Sequence, residues 1–458
     1  MPKQSADTRI PGLRGGVLGR HVAAYEADPI GFLTACRQEY GDLFRFDDDV
    51  VVVCDPELAR QVMARTNDDF IPNADPLNGG RFPTPEQTRG WMRARHLTQP
   101  VLRSTALPSR LPAVRQALAA DLDALDGIWF DPVRNSRAIC VRALLPTYVP
   151  GPAPALEAAL LDTFQVSLDA SESGVRVPRW MPSRMRRRLR ASDRRFRDTM
   201  EPLLSGCPRA DHADHVDHAD HGEQGESGRH AEHGDKGCDT VLEQLHAQSE
   251  PVPRDVAMGA LGFSFLGAIG TMGAAWCWLL FCLAAHPDAL RRIHDESTAA
   301  SADEIAGDPE RALPYTHAFV REVLRVYPPA WLLGRDAVTD LTLGGYDIPA
   351  GTAVMVSPYL LHHDPRHWDA PDRFSPERWL NDAPPHTPHS YLPFASGPRG
   401  CLGSRLGAAV LLLTAAHIAA HQRLEAPDLD GVTPRFGTSL TPRGMSCRLL
   451  RHDRSHSK

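Results

Sequence analysis

Hydrophobic and polar positions along this chain follow two different periods, and each change of period marks an element. Around "DPIGFLTACRQEYG" apolar residues recur at helical spacing, so an amphipathic helix follows the opening loop. "LFRFDDDVVVVCD" reads as two short strands turning on the acidic run Asp47–Asp49, and "PELARQVMARTN" resumes helical spacing. From Pro85 to about Leu204 the pattern is mostly helical. Breaks are expected at Pro108–Pro112, Pro146–Pro154 and Pro178–Pro182, because proline lacks the N–H that continues a helix. From Val338 onward, "LTLGGYDIPAGTAVMVSPY" alternates short strands with turns, and helix returns after Gly403. The expected fold class is mainly α with a minor β region.

Two stretches depart from this pattern. Between Cys207 and Cys238 lies "DHADHVDHADHGEQGESGRHAEHGDKG", which carries His212, His215, His218, His221, His230 and His233. So polar a tract cannot bury enough apolar surface to order itself. Residues 207–237 therefore read as a flexible insert within a single domain spanning 1–458. Imidazole and carboxylate are also good metal ligands, so metal binding is the alternative reading. The second stretch, Val256 to His286, has no charged side chain apart from His286 and is long enough to cross a membrane. Five glycines between 259 and 273 and flanks without Lys/Arg clusters favour a helix buried on all sides instead. Its small residues would let something bulky lie flat against the backbone.

Composition changes this picture only a little. With 42% hydrophobic and 23% charged residues the chain is ordinary for a globular protein, and its net charge of −7 leaves no nucleic-acid footprint. Nine cysteines without a C-x-x-C pair suggest reduced thiols and a cytoplasmic location. "MPKQSADTRIPGLRGG" has no apolar core, so neither a signal peptide nor a membrane anchor is expected. Arginine outnumbers lysine 47 to 3, which points to a GC-rich bacterial genome rather than to a basic function.

Candidate chemistry concentrates in "LPFASGPRGCLGSRLG", Leu392 to Gly407. A thiolate serves as a metal ligand only when it stays deprotonated and shielded. Cys401 precedes an apolar helix whose N-terminal dipole and N–H groups would favour negative charge on sulfur. Gly397, Gly400 and Gly403 would let the backbone bend closely around that sulfur. Phe394 would cover the loop, and Arg399 could pair with a carboxylate of a bound group.

The spacing F-x-x-G-x-R-x-C-x-G, carried by Phe394, Gly397, Arg399, Cys401 and Gly403, resembles the heme-binding loop of the cytochrome P450 family. Further landmarks follow in the family's order. "EVLR" sets Glu322 and Arg325 on one helical face, and "FSPERW" follows it. The resemblance implies a buried network of Glu322, Arg325 and Arg378 that holds the cysteine loop, with Arg373 as second choice for the third member. "WMRAR" supplies Trp91 and Arg95, which by resemblance contact a heme propionate, as does Arg335 after "YPPAWLLG". The likeness runs from about residue 10 to 450, apart from the histidine-rich insert.

One departure bears on chemistry. The family carries A/G-G-x-D/E-T-T/S on its long central helix, and the matching segment here is "GAIGTM". Thr271 falls on the alcohol position and Gly270 on the acid position. Oxygen activation needs protons, and glycine cannot relay one. Water or a substrate group would have to replace the acid, or the reaction would not follow the usual dioxygen cycle.

The resemblance implies a soluble bacterial heme-thiolate monooxygenase, with heme b ligated by Cys401 and dioxygen as co-substrate. Its substrate would be a small, largely apolar molecule, with a terpenoid or polyketide of specialised, antibiotic-type metabolism as the expectation. Electrons would come from a separate ferredoxin and ferredoxin reductase. The substrate pocket is expected from the 70–90 loop, from Phe265, Ala268 and Thr271, from the turn Ala330, Trp331, Leu332 and Leu333, and from Thr438, Ser439 and Leu440. Two alternatives stay open: an enzyme using peroxide or rearranging its substrate, and a non-enzymatic heme sensor.

Overall fold

The computed structural model describes residues 9–13, 20–72, 85–102, 107–172, 183–206, 238–250 and 252–452. The histidine-rich insert, most of the 70–90 loop and the break at Pro178–Pro182 lie outside them.

The organising element is the helix Arg254–Ala285, 32 residues long. Helices Pro85–Thr98, Pro132–Tyr148, Pro154–Glu172, Pro314–Val326 and Ser404–His421 pack around it. Along its second half, Ala274 to Leu280 is a run of buried residues, as expected for a helix enclosed by protein. Its glycines mostly admit neighbours. A Cβ on Gly262 would lie 2.7 Å from the Phe196 ring, and one on Gly273 would lie 2.9 Å from Ser136 Oγ. Helices Arg184–Leu203 and Pro132–Tyr148 thus approach at those two points. Gly267 alone of the three meets no neighbour within 4 Å.

The minor β region includes a five-stranded sheet in the order Leu43–Asp47, Val50–Val53, Ala353–Val356, Leu333–Ala337, Phe70–Pro72. Val50–Val53 pairs in parallel with Ala353–Val356, and the other pairings are antiparallel. The run of β-branched residues at 50–53 suits a strand paired on both edges and buried from Val51 onward. A separate hairpin, Leu341–Leu343 with Tyr346–Ile348, turns on Gly344 and Gly345, both at positive φ, as such tight turns require. The mainly α architecture with small sheets is the fold expected from the sequence.

The expected break at Pro146–Pro154 is present but begins late: Pro146 lies inside the helix Pro132–Tyr148, and residues 149–153 are non-helical before the helix Pro154–Glu172. Pro146 sits in the last turn, where a single missing N–H is tolerated, and the Val149 N–H still reaches Leu145 O at 3.0 Å.

Candidate functional site

The cysteine loop is held by its own backbone and by the helix Pro56–Ala64. The Cys401 N–H donates to Phe394 O and the Gly400 N–H to Gly397 O, each at 2.9 Å. Gly397 has φ +71°, and a Cβ there would sit 2.2 Å from Met63 O. Only glycine fits, because the obstacle is backbone that cannot rotate away. The helix Ser404–His421 then begins directly after Gly403. Burial raises the pKa of the Cys401 thiol, while the Gly403 N–H and the Arg95 charge pull it down. Burial is the largest of the three influences, and a cation at sulfur would favour the thiolate.

Cys401 opens onto a cavity of about 360 Å³. Gly267, Ala268 and Thr271 of the central helix line it, and so do Phe394, Cys401 and Gly403 of the loop. A Cβ on Gly403 would meet nothing within 4 Å, so the backbone there stands clear of other protein atoms. The remaining wall is largely apolar, with Leu102, Leu144, Leu324 and Leu411. Thr271 Oγ1 donates back to Gly267 O at 3.1 Å, which leaves its lone pairs available to a group in the cavity.

Three buried or half-buried arginines gather beside this cavity, and among the described residues no carboxylate pairs with any of them. Arg95 and Arg399 lie on the wall. Arg335 lies outside it, its Nε donating to Thr66 Oγ1 at 3.1 Å and its Nη1 to Gly334 O at 2.8 Å. Burial lowers all three pKa values, Arg335 to about 10. Like charge adds to this, Arg95 acting on Arg399 and Arg399 on Arg335. Among the described residues, Arg399 Nη2 has no hydrogen-bond partner. Its Nε donates to Asn67 Oδ1 at 2.8 Å, and its guanidinium stands 5.5 Å from the Trp91 ring. Clustered buried cations without counter-ions fit an anionic ligand. An apolar group with carboxylate edges and a metal centre for the thiol suits this wall, and heme b has those features.

Glu322, Arg325 and Arg378 do not line the cavity. Glu322 and Arg325 are wholly buried. Glu322 accepts from Arg325 Nε and Nη2 at 3.0 and 2.9 Å, from Arg378 Nε at 3.1 Å, from the Ser375 N–H at 2.9 Å and from Trp379 Nε1 at 2.8 Å. Arg373 contributes only its carbonyl, to Arg325 and Arg378.

Several expected pocket residues stand elsewhere. Ala268, Thr271 and Ala330 line the cavity. Phe265 is buried against Tyr148, ring centroids 4.3 Å apart, and it is Tyr148 that reaches the wall. Trp331 turns away to donate to Gly437 O at 2.8 Å. Leu332 and Leu333 pack into the core clusters, and Leu440 is buried with its N–H on Pro329 O. Ser439 and Gly270 line a separate cleft of about 50 Å³ with Ser136, Arg137 and Arg435. A Cβ on Gly270 would lie 3.0 Å from Phe164 Cζ and 3.6 Å from Ser439 Oγ. The acid position therefore faces away from the cavity, and a side chain there would meet an aromatic ring. Asn67, Trp379 and His362, which accepts the Leu392 N–H, were not anticipated from the sequence. Among the three, only Trp379 lies within a recognised motif, as the last residue of "FSPERW".

Comparison with known proteins gives one family. The family model described as Cytochrome P450 matches residues 172–446, more than half of the chain. Thromboxane-A synthase of Sus scrofa is 36% identical over 199 residues, 42% of this chain and 37% of that protein. Cyclooctatin synthase of Streptomyces melanosporofaciens is 38% identical over 180 residues, 38% of this chain and 39% of that protein. The mitochondrial 25-hydroxyvitamin D-1 alpha hydroxylase of Homo sapiens is 32% identical over 198 residues, 42% and 39% of the two chains. The matched stretch thus spans about two fifths of each of these relatives.

Proposed function

This chain belongs to the cytochrome P450 family, whose cofactor is heme, and on that premise we propose that it is a heme-thiolate monooxygenase acting on a small, largely apolar molecule. The observation that carries the reading is the juxtaposition of one accessible cysteine thiol with three carboxylate-free arginines around an apolar cavity. Bound there, heme supplies a redox-active iron able to activate dioxygen. Cys401 Sγ would be its ligand, with the Gly403 N–H and the Arg95 charge tempering the negative charge on sulfur. Arg95, Arg335 and Arg399 would receive its carboxylates, with Trp91 beside Arg399. Glu322, Arg325 and Arg378 support the loop from behind.

On the opposite wall, Thr271 Oγ1 would accept a hydrogen bond from a donor group in the cavity while its own hydrogen stays directed at Gly267 O. Leu102, Leu144 and Tyr148 exclude bulk water and select for shape rather than polarity, which favours a terpenoid or polyketide. A separate ferredoxin and ferredoxin reductase deliver the electrons.

A second reading, in which hydrogen peroxide replaces dioxygen and reductant, is favoured by one observation: Gly270 offers no carboxylate and faces Phe164. Turnover of a terpenoid and polyketide panel in oxygen-18 gas, with a ferredoxin system or with peroxide alone, separates the two. The monooxygenase reading expects label in the product and a faster reductant-driven reaction. Unlabelled product, or a peroxide route at least as fast, would favour the second.

A further inference from the structure

We infer that His362, neutral and protonated on Nδ1, is the positioning residue that ties the buried Glu322 cluster to the chain entering the Cys401 loop. The inference rests on Cys401 being the heme ligand.

The tautomer follows from the partners. The Leu392 N–H lies 2.8 Å from His362 Nε2, and an amide N–H can only donate, so Nε2 carries no proton. Nδ1 lies 3.0 Å from Arg325 O, which can only accept, so Nδ1 carries it. Arg325 returns the contact, donating from Nη1 to His362 O at 2.9 Å. Residues 325, 362 and 392 are thereby locked through one ring that is wholly buried. Leu392 leads straight into Pro393 and Phe394 of the cavity wall, and Phe394 O takes the Cys401 N–H. The ion cluster therefore acts on the cysteine through His362 and not by touching it.

The arrangement also works only without charge on the ring. A second proton on Nε2 would leave the Leu392 N–H facing another donor. Burial chiefly, then His363, and then Arg325 and His386, hold the His362 pKa well below the ordinary value against the favourable Arg325 carbonyl. His363 is itself held at about 4, mainly by burial. Tyr391 and Trp368 flank the ring, with centroids at 5.3 and 6.1 Å. The nearby carboxylates are engaged elsewhere, Glu322 by Arg325 and Arg378, and Asp364 by Arg37 and Arg366. Because the folded pKa is depressed, the stabilisation is complete above the ordinary histidine value of ~6.5. It declines below that pH, as the unfolded chain takes up a proton that the folded one refuses.

His362→Leu and His362→Gln test this in the heme-loaded full chain. Glutamine offers one acceptor and one donor but does not titrate; leucine offers neither. The readouts are heme content and the share of the ferrous-carbonyl spectrum in the red-shifted, thiolate-type band, followed from about pH 8 to about pH 5, either side of the histidine range. At neutral pH the leucine variant should lose heme and shift toward the thiol-type band, with glutamine restoring both. The acid midpoint for loss of the thiolate band should fall by about one unit or more in the glutamine variant. A leucine variant with the wild-type spectrum and heme content overturns the inference. Should the leucine variant not fold, the glutamine midpoint decides, and a midpoint unchanged from wild type, or a wild type with no acid transition, overturns it. A wild-type protein without the thiolate band at any pH would instead overturn the assignment of Cys401.

Discussion

Two groups of buried arginine lie in this protein, and they are built on opposite principles. Around Glu322 every strong donor has an acceptor: the carboxylate takes five hydrogen bonds, and the Arg325 and Arg378 guanidiniums also reach the carbonyls of His362, Asp369, Ala370 and Arg373. Beside the cavity and among the described residues, Arg95, Arg335 and Arg399 have no carboxylate, Arg95 lowers the Arg399 pKa and Arg399 that of Arg335, and Arg399 Nη2 has no partner. A closed network has nothing left to bind with, so it reads as structure. An open one carries a desolvation cost that an anionic ligand would remove, so it reads as a binding site.

This contrast can be broken first at its closed end. Glu322→Gln leaves two buried guanidiniums facing a neutral group and should cost about 3–5 kcal/mol, lowering the stability of the heme-free protein in urea unfolding. Wild-type stability in that variant would mean that the cluster is not the support described here. At the open end the sign should reverse. Arg399→Met removes an uncompensated buried cation, so the heme-free protein should unfold at equal or higher urea while the loaded protein loses heme about tenfold faster. That factor corresponds to ~1.4 kcal/mol of lost ligand contact. Equal destabilisation of both forms would make Arg399 a structural residue like Arg325. A smaller effect is expected from Asn67→Ala. Asn67 stands at φ +85° and orients Arg399 through Oδ1, and losing that one bond is worth ~1 kcal/mol. Its signature should again be faster heme loss at nearly unchanged heme-free stability, and no change in heme loss would remove Asn67 from the site.

The parts of the site legible in the sequence are those in which one short segment carries both the residue types and their spacing. The run from Phe394 to Gly403 is such a segment, and Glu322 with Arg325 is another. Even Arg378 could be found, because it lies within a recognisable motif. What escaped the sequence depends on segments far apart in the chain. Asn67 meets Arg399 across 332 positions, and the close approach that makes Gly397 obligatory is to the Met63 backbone. Facing was a harder problem than register. Neighbours on a helix point ~100° apart, so Thr271 looks into the cavity while Gly270, one residue earlier, looks at Phe164. In the turn after Ala330, Trp331 is drawn away by the Gly437 carbonyl, and no periodicity announces that bond. The mainly α fold was accessible for the opposite reason: long apolar runs such as 254–285 and 404–421 bury themselves whatever their partners.

On the proposed function, the Cys401 thiol that opens onto this cavity becomes a metal-bound thiolate once heme is loaded. The most direct measurement is the ferrous-carbonyl spectrum of the purified heme-loaded chain beside that of Cys401→Ser. The wild type should show the red-shifted band of thiolate ligation and the variant should lose it, with Arg399 and Glu322 left intact in both. Retention of that band in Cys401→Ser, or its absence from loaded wild-type protein at neutral pH, would contradict it.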